Sequence, residues 1–180
     1  ALHNKCDSYQ DLNDGNFFID PETGKILICD NDNVAPNGTN LGILGKPRYM
    51  APEVVCQNHL PDTYSDRFSL AVILFLLFFR GHPLEGMRDN CDREDNEKSL
   101  FCKMPIFVFD PNDSTNRPNS VIHKNVNVLW NVYPPFVRSL FIKAFDKNLM
   151  RNNGTGRGDR VMEKEWLKMF QKLCHSVIVC

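Results

Sequence analysis

The sequence predicts a mostly helical α+β domain spanning 1–180, and three observations predict it. Leu70 to Phe79 is apolar throughout and runs on from a residue that can cap a helix, Thr63 or Ser65, which is the pattern of a helix buried on every side. Two later stripes recur at helical spacing: Phe136, Val137, Leu140, Phe141, Ala144 and Phe145, then Met162, Trp166, Met169, Phe170 and Leu173. Phe17–Ile19 and Lys25–Cys29 flank Asp20-Pro21-Glu22-Thr23-Gly24. There Pro presets φ and Gly supplies φ > 0, so the two runs pair as a β-hairpin.

Composition narrows the class. Of 180 residues, 42% are hydrophobic and 24% charged, which excludes wholesale disorder and a coiled coil. A chain of this length buries about 70% of its unfolded surface. The 21 Lys and Arg balance 22 Asp and Glu, so no nucleic-acid partner is expected. The longest apolar run is about half of the roughly 20 residues a membrane span needs, and the N-terminus carries no signal-peptide pattern. Seven Cys, at 6, 29, 56, 91, 102, 174 and 180, form no Cys-x-x-Cys pair. They suggest a reducing, cytoplasmic setting in place of a disulfide framework. Cys91 and Cys102 read as free thiols or, given further ligands, as half of a metal site.

The remaining elements follow in order. Asp30 to Arg48 is rich in Asn, Gly and Pro and reads as a long loop. Gly81-His82-Pro83 stops the buried helix. Residues 84–130 read as an irregular insertion, most polar over 84–120 and broken by Ile106–Phe109. Pro134-Pro135 opens the first amphipathic helix, and Asn152–Gly158 reads as a mobile connector to the second.

Chemistry concentrates in one ordered set. Tyr9-Gln10-Asp11-Leu12-Asn13-Asp14-Gly15-Asn16 places an Asn five residues after an Asp, just before the hairpin. Asp30 closes the second strand, Gly45-Lys46-Pro47-Arg48-Tyr49-Met50-Ala51-Pro52-Glu53 follows, and Asp66 heads the buried helix. In that order the set resembles the C-terminal lobe of a eukaryotic-type Ser/Thr protein kinase: catalytic loop, metal-binding Asp, Ala-Pro-Glu and helix Asp. The resemblance covers nearly the whole chain. It implies a kinase-like fold, ATP and Mg²⁺ as cofactors, and a protein substrate. By the same resemblance Asp11 takes or orients the proton of the attacking hydroxyl, and Asn16 and Asp30 hold Mg²⁺ and through it ATP. Asp66 binds backbone N–H groups near Tyr9 and Gln10, and Tyr9 joins the column of side chains linking the lobes. Glu53 pairs with a buried Arg, Arg160 or, failing that, Arg151. Thr39 is the nearest hydroxyl of the activation loop.

Several positions depart from the family. Asn13 stands where its members carry a catalytic-loop Lys, so a cation facing the transferred phosphate is missing there. Gln10 replaces the Arg before the catalytic Asp, a variant that implies no need for activation-loop phosphorylation. Asp30-Asn31-Asp32 replaces Asp-Phe-Gly, leaving Asp32 as a second metal ligand or a turn cap. No Gly-rich phosphate loop, strand Lys or helix Glu is present, so the resemblance implies either a fragment of a longer kinase, with the N-lobe of the same protein as partner, or a product lacking an N-lobe. Three functions fit: a Ser/Thr protein kinase lobe, a pseudokinase or interaction module, and a small-molecule phosphotransferase. Ala51-Pro52-Glu53 argues against the third.

Overall fold

The computed structural model describes residues 3–39, 42, 45–89 and 99–176. Among the described residues, four short strands form two antiparallel pairs, β1 (Asp7–Ser8) with β4 (Ala35–Pro36) and β2 (Phe17–Ile19) with β3 (Ile26–Ile28). The hairpin register pairs Phe17 with Ile28, Phe18 with Leu27 and Ile19 with Ile26. Its turn closes where Asp20 accepts from the Glu22 amide at 2.9 Å and Gly24 takes a positive φ of 67°.

The α-helices among the described residues are α1 (Pro52–Val55), α2 (Thr63–Phe79), α3 (Lys124–Val132), α4 (Pro135–Ala144) and α5 (Glu163–Ser176). The N-cap of α2 is Asp62, one residue before Thr63. Its Oδ1 accepts from the amides of Tyr64 and Ser65 at 2.9 Å, and the Asp62 amide donates to Ser65 Oγ at 2.8 Å. A carboxylate there satisfies two orphan donors and meets the positive end of the helix, so it displaces both hydroxyl candidates, with Ser65 completing the box from the third position. At the other end Arg80 adopts the left-handed conformation, φ 53°, and donates to the Leu76 carbonyl at 2.9 Å. Gly81 is required for close approach: a Cβ there would lie 2.2 Å from Val126 Cγ2.

The core forms around α2. Phe75 is fully buried and sets its ring edge-on against Phe107, Phe141 and Phe145 at 5.5, 5.4 and 6.0 Å. Each fully buried Phe contributes about 1.5–3 kcal/mol. The helix is not buried all round, because Leu77 is 59% exposed.

The described residues of 84–130 are more ordered than their composition suggests. They carry a π-helical turn at Ser99–Lys103 and the start of α3, and send Phe107 and Val108 into the core. Asn has low helix propensity, which hides α3 in the sequence; burial of Val126 and Trp130, with Leu129 half-buried beside them, overrides it. Asn116, fully buried, donates to the carbonyls of Leu84 and Ile106 at 2.8 and 2.7 Å, which satisfies loop backbone without a sheet. Asn152–Gly158 is likewise tied down, since Asn58 donates to Asn152 O at 2.6 Å and His59 bonds Asn153 O at 3.0 Å.

Cys56 and Cys102 form a disulfide joining the end of α1 to the π-helical turn. Cys102 is therefore neither a free thiol nor a metal ligand, Cys91 lies outside the described residues, and cysteine usage gives no support to a reducing compartment. The bridge closes a loop of 46 positions. Cys56→Ser is expected to lower unfolding free energy by about 2–4 kcal/mol. Urea unfolding with and without reductant checks this, and a midpoint indifferent to both changes would count against it.

His82 contributes a pH dependence. It is buried, accepts from the Leu84 amide through Nδ1 at 3.1 Å, and so donates through Nε2 to the Arg48 carbonyl at 2.8 Å. Burial pushes its pKa from 6.5 down to about 4, against the opposing charge of Glu85. The unfolded chain then binds the extra proton between those values, so stability falls as pH drops from 6.5 toward 4, by about 1.4 kcal/mol per unit at most. His3 acts with opposite sign: its hydrogen bond to Asp66 raises its pKa, so its contribution is lost as pH rises. His82→Gln is expected to flatten the decline between pH 7 and pH 5, read from urea midpoints; parallel slopes would contradict it.

No helix among the described residues is long and apolar enough to cross a membrane.

Candidate active site

The loop from Tyr9 to Asn16 is anchored from below by α2. Asp66, buried in the first turn, accepts from the Tyr9 amide at 2.6 Å and the Gln10 amide at 3.0 Å. That pair of bonds holds Gln10 at a positive φ of 69°, a conformation a side chain normally avoids. His3 braces the same carboxylate, with Nε2 3.0 Å from Asp66 Oδ2 and Nδ1 2.6 Å from Glu163 on α5. Gln10 reaches the other way, donating through Nε2 to the Thr39 carbonyl at 2.7 Å.

Asp11, half-buried, is held between two amides. Asn13 Nδ2 donates to its Oδ1 at 3.1 Å, and Asn16 Nδ2 to its Oδ2 at 3.3 Å and its carbonyl at 2.9 Å. Asn13 also caps the 3₁₀ turn Asp14–Asn16 by accepting from Gly15 N at 3.0 Å. The base of the hairpin is fastened to this loop: Cys29 N donates to Asn16 O at 3.0 Å, and buried Tyr9 donates to the carbonyls of Cys29 and Asp30 at 2.5 and 2.8 Å. Asp30 is exposed and takes a positive φ of 59°, which Asp tolerates better than most residues. The Tyr9 phenol is raised first by burial and next by the charges of Asp30 and Asp11, so both carboxylates act on one point. Tyr49 is pushed up to about 12, first by burial and then by its hydrogen bond to Asp14.

Asp11, Asn13 and Asn16 therefore come together, with Asp66 beneath them and the Asp30 backbone fastened to the same loop through Tyr9. Asp32 is exposed on the chain beyond Asp30. Among the described residues, no three or more His, Cys, Asp or Glu side chains converge as a metal cage.

Glu53 and Arg160 lie apart from the loop and tie α1 to the chain just before α5. Arg160 Nη1 and Nη2 each donate to one Glu53 oxygen at 2.8 Å, and also to the carbonyls of Tyr64 and Leu149 at 2.9 and 3.0 Å. Both side chains are buried. Arg151 is occupied with Asn148 Oδ1 at 2.7 Å.

Two contributors were not assigned a role from sequence. His3 gives no signal beyond an isolated His. Lys46 donates to Asn13 Oδ1 at 3.2 Å, and the signal for it was the missing loop cation, which should prompt a search for another.

With this geometry in place, comparison with known proteins is direct. The profile of the Protein kinase domain family matches residues 1–177, and the chain belongs to that family. It is 26% identical over 113 residues to a probable serine/threonine-protein kinase, C70.05c, of Schizosaccharomyces pombe, covering 57% of this chain and 14% of that one. It is 31% identical over 99 residues to serine/threonine-protein kinase Sgk1 of Xenopus tropicalis, covering 53% and 23%. It is also 31% identical over 103 residues to G protein-coupled receptor kinase 2 of Caenorhabditis elegans, covering 54% and 14%. The chain thus spans under a quarter of the length of these relatives.

Proposed function

We propose that this chain is the C-terminal lobe of a Ser/Thr protein kinase that transfers the γ-phosphoryl group of Mg²⁺-bound ATP to protein substrates. The observation that carries the reading is the Asp11 carboxylate held between the Asn13 and Asn16 amides, on a loop whose Tyr9 also holds the Asp30 carbonyl. Held there, Asp11 presents a fixed oxygen to the proton of an incoming hydroxyl, and positioning of this kind is most of what phosphoryl transfer asks of a protein.

The donor set fits Mg²⁺. Asn16 gives its nitrogen to Asp11, so its oxygen is what it offers a cation, and Asp30 adds an exposed carboxylate. Mg²⁺ favours one or two such oxygens together with substrate phosphates and water over an all-protein cage. When bound, the ion would neutralise charge on those phosphates. Asp32 adds a carboxylate nearby, either to a second ion or to the turn.

An N-lobe partner is supported by the hairpin. Phe18 and Leu27, partners on one face, are 63 and 65% exposed, and Ile19 and Ile26, partners on the other, 54 and 63%, so apolar side chains stand uncovered on both faces of the hairpin. Gln10 supports independence from activation-loop phosphorylation, because a neutral amide stands in place of the family's Arg and is bonded to the Thr39 carbonyl. The buried Glu53–Arg160 anchor favours a protein kinase over a small-molecule phosphotransferase.

The test is transfer by the two-lobed protein. Mg²⁺-dependent phosphorylation of Ser or Thr in a protein or peptide is expected, lost in Asp30→Asn. Nucleotide binding without any transfer would favour the pseudokinase reading; turnover stimulated by a small alcohol and not by protein would favour the third.

A further inference from the structure

We propose that Lys46 supplies the cation that the loop lacks at Asn13, setting its ammonium against the phosphoryl group in transfer. The inference rests on the phosphotransfer reading above. Lys46 Nζ lies 3.2 Å from Asn13 Oδ1, and Asn13 Nδ2 lies 3.1 Å from Asp11 Oδ1. A single amide therefore links ammonium to carboxylate, its oxygen taking a proton donor and its nitrogen giving one.

Gly45 lets the segment come this close. A Cβ at Gly45 would lie 3.1 Å from Asp11 Oδ1 and 3.3 Å from the Gln10 carbonyl, so a side chain there would press on the loop. The backbone next to Lys46 is thereby packed on the residue it would assist. Lys46 is exposed apart from this contact, and its flexible stem lets Nζ reach an anion beside Asp11 while Asn13 holds one of its three donors. A loop Lys and an arriving Lys46 would compete for the same space. An Asn at 13 replaces the first and gives the second an acceptor.

In the step itself the substrate hydroxyl oxygen bonds the γ-phosphorus. The bond to the bridging oxygen breaks, its electron pair leaving on ADP, and the hydroxyl proton passes to Asp11. Lys46 exchanges no atom and neutralises charge on the transferred group. The cation is carried by the activation segment, so the chemical step requires that segment to be in place.

The experiment compares wild type, Lys46→Met, Lys46→Arg and Asn13→Lys/Lys46→Met in the two-lobed protein by steady-state transfer to a Ser/Thr peptide, with unfolding midpoints as the folding control. Lys46→Met is expected to lose about 10²-fold in kcat with KM for ATP little changed. Lys46→Arg should retain more than Lys46→Met, and the double variant should recover about tenfold or more by restoring a loop cation. An active wild type whose Lys46→Met variant keeps its kcat overturns this inference and leaves the function standing. Failure of both Lys46→Arg and the double variant to exceed Lys46→Met would make Lys46 structural and overturn it as well. A wild type without transfer overturns the function and this inference together.

Discussion

Asp11→Asn is expected to lower kcat for phosphotransfer by about 10²–10⁴-fold while nucleotide binding persists. The substitution keeps shape and removes the proton acceptor. It also turns one nitrogen toward a neighbour that is itself a donor, because Asn13 and Asn16 both give N–H groups to the carboxylate. Some loss of stability should accompany it, about 1–3 kcal/mol for the donor left without an acceptor. Steady-state kinetics with an ATP titration separates the two effects. A variant that retains wild-type kcat would remove Asp11 from the chemistry.

Breaking the Glu53–Arg160 pair is expected to cost the most stability. Both side chains are buried and joined by two bonds of 2.8 Å, so Glu53→Gln leaves a guanidinium whose charge nothing balances. Removing one partner of such a pair costs about 3–5 kcal/mol. Arg160→Met should cost as much, since Glu53 is then stranded and the carbonyls of Tyr64 and Leu149 lose a donor. The double variant Glu53→Met/Arg160→Met should recover part of the loss, because the two sites are coupled. Urea unfolding of the three variants provides the cycle, and additive losses would contradict it.

What could be read from sequence was what local spacing encodes. The stripes of α4 and α5 and the apolar run of α2 recur at helical period, and the hairpin turn carries its own φ preferences in Pro21 and Gly24. Asp11, Asn13 and Asn16 share one loop, so their order on the chain already limits their distances. Contacts made by folding alone were not legible in the same way. The disulfide joins positions 46 apart, and no spacing rule selects Cys102 over Cys91 as the partner of Cys56. Helix α3 is masked by Asn125, Asn127 and Asn131, whose propensity tertiary burial overrides. Lys46 and His3 act through single long-range bonds to the loop and its anchor, and such bonds leave no periodic trace. The described residues of 84–130 mislead through composition, because buried Asn116 and seven core side chains, Leu84, Leu100, Phe101, Phe107, Val108, Val126 and Trp130, sit among polar residues.

The most direct test of the account is a thermal unfolding titration of the two-lobed protein with ATP, with and without Mg²⁺, beside Asp30→Asn. A ligand that binds only the native state raises the midpoint by mass action. A rise that needs Mg²⁺ and disappears in Asp30→Asn is expected. An equal rise without Mg²⁺, or one that survives the substitution, would contradict a metal–phosphate site at Asn16 and Asp30.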